Sequence, residues 1–233
     1  MRDYLLFIDT ETTGLPKEWN KPYSEEGNWP NSVQVAWTIY TKEGQEVKTE
    51  NHFIKDKDFK IEAASRKIHG ITHDFLLKNG EDRNVVMARL SEDLLQYKPM
   101  VVGHFMLLDF HMLGADFYRA GMQNPIKELP TFCTMKATAN YVFNPYQKFL
   151  RLGDLYERLF GIPLEQQHDA LVDAKATAKC FFRLLEKGDI DDNQIELQQL
   201  SKEEEEKTEH KLGCGVSIIL LFLICTLLVI NWL

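Results

Sequence analysis

Two acidic residues stand at the end of an apolar run near the start of the chain, in the sequence Phe7-Ile8-Asp9-Thr10-Glu11. Residues two apart in a β-strand share one face and lie about 6.6–6.8 Å apart along the chain. Asp9 and Glu11 could therefore bind one hard cation together, because carboxylate oxygens are the ligands that such ions prefer. The alternative is a strand that simply ends in two exposed acids, which is a common arrangement.

Two more acids and a histidine occur where helices are expected to begin. Asp109 follows the apolar run Met100–Gly103 and lies in the first turns of the next helix, where the helix dipole favours an anion. His168 stands at the start of the last long helix, and Asp173 lies five residues further along, little more than one turn. Taken singly, an aspartate in a helix is more often solvated, and a lone histidine is more often structural.

The ordered set of these residues is more specific than any one of them. Asp9-x-Glu11, Asp109 and His168-x4-Asp173 resemble, in order and spacing, the three motifs of the DEDDh exonucleases. That group includes the proofreading subunit of bacterial DNA polymerase III, ribonuclease T and oligoribonuclease. The resemblance extends over most of residues 4–187, and a histidine five residues before the last aspartate is typical of the histidine subclass. Smaller matches support it at Val33-Gln34-Val35, Ile68-His69-Gly70-Ile71-Thr72, Cys133-Thr134-Met135 and Leu152–Phe160.

The resemblance implies a 3′–5′ exonuclease that releases nucleoside 5′-monophosphates from a single-stranded DNA or RNA 3′ end. Two divalent cations, Mg²⁺ or Mn²⁺, would bind the scissile phosphate, and one of them would activate the attacking water. The four carboxylates expected to hold these ions are Asp9, Glu11, Asp109 and Asp173. His168 would take the proton of the water as general base. The residues expected to contact the terminal nucleotide are Thr12, Gly14, His69 and His104.

The second motif departs from the family pattern. The family usually has Gly-His-Asn before the aspartate, whereas this chain has Gly103-His104-Phe105. Leu108 also stands where an aromatic residue is common. Since Asp109 itself is kept, the sequence predicts a changed specificity for the terminal nucleotide and a retained activity.

A second group of aromatic residues lies close to the first motif. Trp19, Tyr23 and Trp29 occur between Pro16 and Asn31, in a segment with the composition of a loop. Such rings could stack unpaired bases, which contributes about 1–3 kcal/mol for each base. They could equally pack on their own domain, and the proline-rich setting favours that interpretation.

The pattern of apolar residues predicts one α/β domain over residues 1–187. Strands are expected at 4–9, 32–40 and 47–54, the last two as a hairpin, and short strands at 100–103 and 129–134. Helices are expected at 84–97, from 103 to about 120, at 152–160 and at 168–185. Strands followed by helices that alternate with single strands predict a mixed sheet flanked by helices, and the resemblance implies a ribonuclease H-like fold.

The C-terminal part of the chain changes in character. Residues 188–212 are polar and acidic, which predicts a solvated linker. In residues 213–233, the run Val216–Leu233 contains 18 residues without a charge, a length that suits a membrane-spanning helix. Lysines precede this run and none follows it, so the positive-inside rule predicts a single C-terminal anchor with the catalytic domain on the cytoplasmic side. The alternative is a buried core helix.

Charge and cysteine content limit the function further. The net charge of −8 is not typical of a protein that wraps duplex nucleic acid with a broad basic face, but it is compatible with a small site that binds a strand end through metal ions. The four cysteines have no zinc-like or redox spacing, which favours a reducing compartment. A non-catalytic nucleic-acid-binding module on the same fold is the rival function, and the sequence alone does not choose between DNA and RNA.

Overall fold

The computed structural model describes residues 1–55, 60–143, 146 and 148–199. Its centre is a five-stranded sheet in the order β3-β2-β1-β4-β5. The strands are β1 (Tyr4–Thr12), β2 (Ser32–Thr41), β3 (Glu46–Phe53), β4 (Met100–Gly103) and β5 (Thr131–Cys133). β1, β2 and β3 pair antiparallel, while β4 runs parallel to β1 and to β5. The prediction of a mixed sheet flanked by helices is confirmed.

Helices cover both faces of this sheet. They are α1 (Ala63–His69), α2 (His73–Asn79), α3 (Arg83–Tyr97), α4 (Met106–Arg119), α5 (Thr134–Ala137), α6 (Leu152–Phe160) and α7 (Ala170–Lys187). Short 3₁₀ helices lie at Pro125–Glu128 and Ala139–Tyr141. The predicted helices at 84–97 and 152–160 are confirmed, while the helix expected from residue 168 begins two residues later.

The two faces of β1 contact different helices, because successive side chains of a strand point to opposite sides. Leu6 and Ile8 are fully buried in one core cluster with residues of α3 and α4. Leu5 and Phe7 are fully buried in a second cluster with residues of α7. The same alternation places Asp9 and Glu11 on the α7 side and the intervening Thr10 on the α4 side.

β1 extends beyond the end of its parallel neighbour. Its pairing with β4 ends at Phe7 opposite Val102, whereas its pairing with β2 continues to Thr12. The last residues of β1 therefore border an open edge, where the chain leaves β4 at Gly103 and turns into α4. Carboxyl ends of parallel strands are where ligands usually bind in α/β sheets.

The packed domain continues past the end of α7. Ile190 and Ile195 are buried in the second core cluster, and residues 192–199 are helical. The side-chain amide of Gln198 bonds both backbone groups of Cys133, with distances of 2.9 and 3.2 Å. Gln199 does the same to Thr131, at 3.0 and 2.6 Å. These amides occupy the free edge of β5, so residues 190–199 pack against the domain. The remainder of the predicted linker, after residue 199, lies outside the described residues.

The membrane prediction needs a correction. None of the helices in the described part of the chain is long and apolar enough to cross a membrane. The longest of them, α7, carries Lys175, Lys179 and Arg183 within its span, and such charges are costly in hydrocarbon. The predicted transmembrane helix, together with the membrane-anchored location that depended on it, is therefore not supported. Residues 213–233, on which that prediction fell, lie outside the described residues.

Candidate active site

The first two acids lie where β1 passes the end of β4. Glu11 is 8% exposed and pairs across the ladder with Gln34 of β2, while Asp9 is half-buried one pleat earlier on the same face. Burying carboxylates at a strand end requires a compensating charge or hydrogen bonds. The alternation of side chains along β1 places Asp9 and Glu11 on the same face.

Asp109 reaches this edge from the other side of the sheet. It lies in the first turns of α4, is 4% exposed, and accepts a hydrogen bond from the hydroxyl of Thr10 at 2.9 Å. Gly103 makes room for it, since a Cβ on that glycine would lie 3.2 Å from Asp109 Oδ2. A short strand, a small residue at its end and one threonine together bring Asp109 beside Asp9.

The third motif contributes from the beginning of α7. The Asp169 side chain caps the helix by accepting the N–H groups of Leu171 and Val172 at 3.0 and 3.2 Å. Asp173 lies one turn further on, is 8% exposed, and accepts the backbone N–H of His168 at 3.0 Å through Oδ2. Its other oxygen, Oδ1, is buried and has no hydrogen-bond partner among the described residues.

These elements bring three ligand-type side chains together. Glu11, His168 and Asp173 each place one oxygen or nitrogen atom so that all three atoms lie within 4.8 Å of one another. Asp173, whose Oδ1 is the unpartnered atom, is one of these three residues. A buried acceptor without a donor is costly in a native protein, and a bound cation would satisfy it. The carboxylate oxygens of this group therefore fit a divalent metal ion, with the imidazole beside them.

The electrostatics of the site lead to the same conclusion. Burial, and then the charges of its acidic neighbours, raise the pKa of Asp9 well above its usual range and that of Glu11 to about 8. Burial raises the pKa of Asp109 to about 7, although the hydrogen bond from Thr10 opposes the shift. Burial likewise raises the pKa of Asp173 to about 6. Carboxylates held this close without a counter-charge destabilise the fold, and hard divalent cations are the ions that oxygen ligands of this kind bind.

His168 lies in the loop immediately before α7, with a backbone φ of 67°. A non-glycine residue in the left-handed region is uncommon, although histidine is enriched there, and such backbones cluster at functional sites. The side chain is exposed, and its ring makes no hydrogen bond within the described residues. Burial of part of the ring, followed by the charge of Arg151, lowers the pKa of His168 below its usual value, so the imidazole is neutral near pH 7.

Two other histidines of the resemblance have both ring nitrogens engaged. His69 accepts the N–H of Ile71 at 3.0 Å, so its Nε2 donates to the carbonyl of Thr12 at 3.2 Å. His104 is 7% exposed, and its Nε2 donates to the carbonyl of Leu150 at 3.0 Å while Nδ1 lies 3.0 Å from the Thr134 hydroxyl. Burial lowers the pKa of His104 to about 4. Both rings are neutral and connect separate backbone segments around the site.

Thr12 and Gly14 form the turn that follows β1. The Thr12 hydroxyl donates to the carbonyl of Gly14 at 2.7 Å, which leaves it engaged within the chain. A Cβ on Gly14 would lie 2.6 Å from the carboxylate of Glu62, so a larger residue there would displace that side chain. The backbone of this turn is itself hydrogen-bonded within the chain, since Thr13 donates to Asn31 and accepts from Glu62, both at 2.9 Å.

Two residues near the acids received no role from the sequence. Asp169 is a fifth carboxylate, whose charge contributes to the raised pKa values of Asp9, Glu11 and Asp173. Gln34 accepts the N–H of Ala170 at 3.2 Å, which holds the first turn of α7 against β2 opposite Glu11. A polar residue inside an otherwise apolar strand was the available signal for Gln34, and an N-cap residue type before an apolar helix was the signal for Asp169.

Comparison with curated proteins and solved structures shows what this chain is similar to. DNA polymerase III of the PolC type from Lactococcus lactis subsp. lactis strain IL1403 is 28% identical over 183 residues, which cover 78% of this chain and 10% of that protein. The PolC-type polymerase of Streptococcus suis strain 98HAH33 is 29% identical over 202 residues, which cover 86% of this chain and 12% of that protein. The chain thus spans about a tenth of the length of these relatives.

Among solved structures, the zinc-bound form of an E. coli exonuclease I complex with single-stranded DNA superimposes with a TM-score of 0.65 at 20% identity, covering 80% of this chain and 41% of that one. The E. coli exonuclease I complex with a dT13 oligonucleotide gives a TM-score of 0.64 at 19% identity, covering 93% of this chain and 47% of that one. At this level of identity the likeness shows a shared fold. A family model described as exonuclease, of the RNase T type, matches residues 6–181. Because that match covers most of the chain, this protein belongs to the exonuclease family, and the resemblance to the DEDDh exonucleases is confirmed.

Proposed function

We propose that this protein is a metal-dependent 3′–5′ exonuclease that hydrolyses the terminal phosphodiester bond of a single-stranded nucleic acid. The observation that carries the proposal is the meeting of Glu11, Asp173 and His168 within 4.8 Å at the open end of β1. The raised pKa values of Asp9 and Asp109 at the same edge support it. Membership of the exonuclease family indicates the reaction class, and the site residues have the chemistry to bind metal ions and to accept a proton.

The four carboxylates have the chemistry to hold two divalent ions, Mg²⁺ or Mn²⁺. The charges of the other three acids raise the pKa of Asp9, so it lies near all of them and would serve both sites, with Glu11 and Asp173 completing one site and Asp109 supporting the other. When bound, such a pair of ions lowers the pKa of the attacking water and stabilises the leaving oxygen. Thr10, through its bond to Asp109, and His168, through its backbone bond to Asp173, fix the directions of two of these carboxylates.

His168 would accept the proton of the attacking water. Its imidazole is neutral near pH 7 because its pKa lies below the usual value, and a neutral ring is the form that can act as a base. A ring nitrogen of His168 lies within 4.8 Å of carboxylate oxygens of Glu11 and Asp173, which supports this role. The left-handed backbone at this residue sets the direction in which the ring enters the site.

A single-stranded substrate is supported by a comparison and by charge. The similar exonuclease I structures are complexes with single-stranded DNA, dA16 and dT13 oligonucleotides. A net charge of −8 suits a short footprint on a strand end better than a long one on a duplex. The products would be nucleoside 5′-monophosphates, and we extend the proposal to DNA and RNA alike.

The test is hydrolysis of matched DNA and RNA oligonucleotides by the full chain, with the label at the 5′ end so that shortening from the 3′ end forms a ladder. We expect mononucleotide release that requires Mg²⁺ or Mn²⁺ and stops in EDTA. Asp9→Asn should bind the strand and release nothing. Strand binding by the wild-type chain without release of any mononucleotide would instead identify a binding module and end the proposal.

A further inference from the structure

The loop between β1 and β2 covers the outer side of α4 with aromatic rings. Trp29 is 4% exposed and stacks on His111 of α4, with ring centroids 5.0 Å apart and an interplanar angle of 18°. The hydroxyl of Tyr23 lies 3.1 Å from His111 Nδ1, and a Cβ on Gly114 would collide with the Tyr23 ring. These two rings pack on their own domain, so for them the structure confirms the packing interpretation.

Hydrogen bonds from side chains to its backbone fix this loop in place. The Asn28 side chain donates to the Glu18 carbonyl and accepts the Glu18 N–H, both at 2.9 Å. Arg119 of α4 donates to the carbonyls of Trp29 and Pro30 at 2.5 and 2.8 Å. Because these bonds hold the loop at Glu18 and again at Asn28–Pro30, its other side chains are kept in one arrangement.

Two aromatic rings of this region stay on the surface. Trp19 is 37% exposed and Phe105 is 39% exposed, and their centroids lie 6.2 Å apart. Their planes meet at 54°, so the two rings do not stack face to face on each other. Phe105 is the N-cap of α4 and precedes Asp109 by four residues. The exposed pair therefore lies at the end of α4 that carries Asp109.

We propose that Trp19 and Phe105 form a stacking platform for a base of the unpaired strand whose 3′ end is bound at the acids, an inference that rests on the proposed function. An aromatic face binds any base by stacking, and the loss of one stack weakens binding by about 5- to 100-fold. Both rings are held in advance by the loop and by the start of α4, so little side-chain entropy is lost on binding. The phenylalanine in the second motif thus replaces a polar contact to the nucleotide by an apolar one.

Binding at the platform depends on the conformation of the substrate strand. It requires a base in an extrahelical position, and it is indifferent to the identity of that base and to the 2′ position of the sugar. A strand that lacks one base near its 3′ end should therefore bind more weakly than the intact strand, by at least the factor lost with one ring, because the missing base would contact both rings. Removing both the ring and the base should have no further effect, because one interaction cannot be lost twice.

The experiment measures equilibrium binding of fluorescent oligonucleotides by anisotropy, with every variant made in the Asp9→Asn background so that strands are not degraded. Intact strands are compared with strands that carry one abasic nucleotide at successive positions from the 3′ end. We expect Trp19→Ala and Phe105→Ala each to raise Kd for intact strands about 5- to 100-fold. On the strand with the critical abasic position, both variants should match the parent.

Matched controls separate stacking from a general effect of surface aromatics. Phe105→Tyr keeps the ring and should bind like the parent, while Phe105→Leu keeps an apolar side chain and should bind like Phe105→Ala. Tyr118→Ala removes a ring that is 54% exposed near the far end of the same helix, about 20 Å away, and should change nothing. Thermal unfolding of each variant checks that the domain remains folded.

Several results would overturn the platform. They are an unchanged Kd for Trp19→Ala and Phe105→Ala, an equal loss on intact and abasic strands at every position, or parental affinity of Phe105→Leu for intact strands. Failure of the proposed function is a different outcome, since it would be seen as absence of mononucleotide release by the wild-type chain. The binding measurement does not depend on that release.

Discussion

Replacing Glu11 by glutamine isolates the electrostatic strain of the acid cluster, since it removes one charge and keeps the shape of the side chain. Burial, and then the charges of Asp173 and Asp109, raise the pKa of Glu11 from 4.5 to about 8. A carboxyl whose pKa is higher in the folded than in the unfolded chain binds its proton more tightly when folded. The metal-free wild type therefore loses stability as pH rises from 4.5 to 8, and the glutamine variant does not share that loss.

The expected gain follows from the shift. At about pH 7.5, the pH lies roughly three units above the unfolded pKa of Glu11 while the folded carboxyl is still mostly protonated, and about 1.4 kcal/mol for each unit gives on the order of 4 kcal/mol. The buried amide of the glutamine would itself lack a partner, which offsets about 1–2 kcal/mol. A net gain of about 2–3 kcal/mol should raise the Tm of the metal-free protein by about 4–10 °C.

Thermal unfolding in EDTA, followed by circular dichroism between about pH 5 and pH 8.5, measures this gain. Glu92→Gln, an exposed position on α3, is the matched control and should leave Tm unchanged at every pH. Saturating Mg²⁺ should raise the Tm of the wild type more than that of Glu11→Gln, because ligand binding stabilises the folded state and the variant has lost a ligand. A variant that is no more stable than the wild type at pH 8, or whose advantage is the same at pH 5 and pH 8, would refute the reasoning.

Three further outcomes are expected. His168→Ala should lower turnover by about 10²–10⁴ while Mg²⁺ still raises Tm as in the wild type, and an unchanged turnover in a mononucleotide-release assay would remove the residue from the role of base. Gln34→Leu leaves the N–H of Ala170 without its acceptor, so it should lower stability by about 1–2 kcal/mol and weaken Mg²⁺ binding in a Tm titration, and normal Mg²⁺ binding would contradict its positioning role. The double change of Gln198 and Gln199 to alanine exposes the edge of β5, so it should promote self-association in sedimentation velocity with turnover intact, and a strictly monomeric variant would argue against edge protection.

The acids could be identified from the sequence because the local geometry of the strands and helices brings them to one edge of the sheet. Alternation along β1 places Asp9 and Glu11 on one face, and a short parallel strand followed by a helix places Asp109 at the same edge. Even the segment near Asp173 was predicted closely, although the helix begins at Ala170 and His168 lies before it in a left-handed turn. Histidine is several-fold enriched at positive φ, but such backbones remain a small minority among non-glycine residues, so the residue type alone did not predict that turn.

What could not be predicted depends on contacts between distant segments. The amides of Gln198 and Gln199 reach β5 across more than sixty residues of sequence, and nothing in an acidic, polar stretch indicates such pairing. The exposure of Trp19 beside the buried Trp29 is likewise decided by α4, against which the loop packs. Composition described both regions correctly as polar or aromatic and could not indicate which side chains remain on the surface.

The three histidines near the site show how a structure assigns roles that residue type leaves open. An imidazole can accept a proton from water only if one nitrogen is not already engaged. His69 and His104 each use both nitrogens to connect backbone segments, and neither is available for that task. The ring of His168 has no hydrogen bond within the described residues and stands beside Glu11 and Asp173. The same reasoning makes His69→Ala and His104→Ala changes of architecture, which should lower Tm together with activity, whereas His168→Ala should lower activity alone.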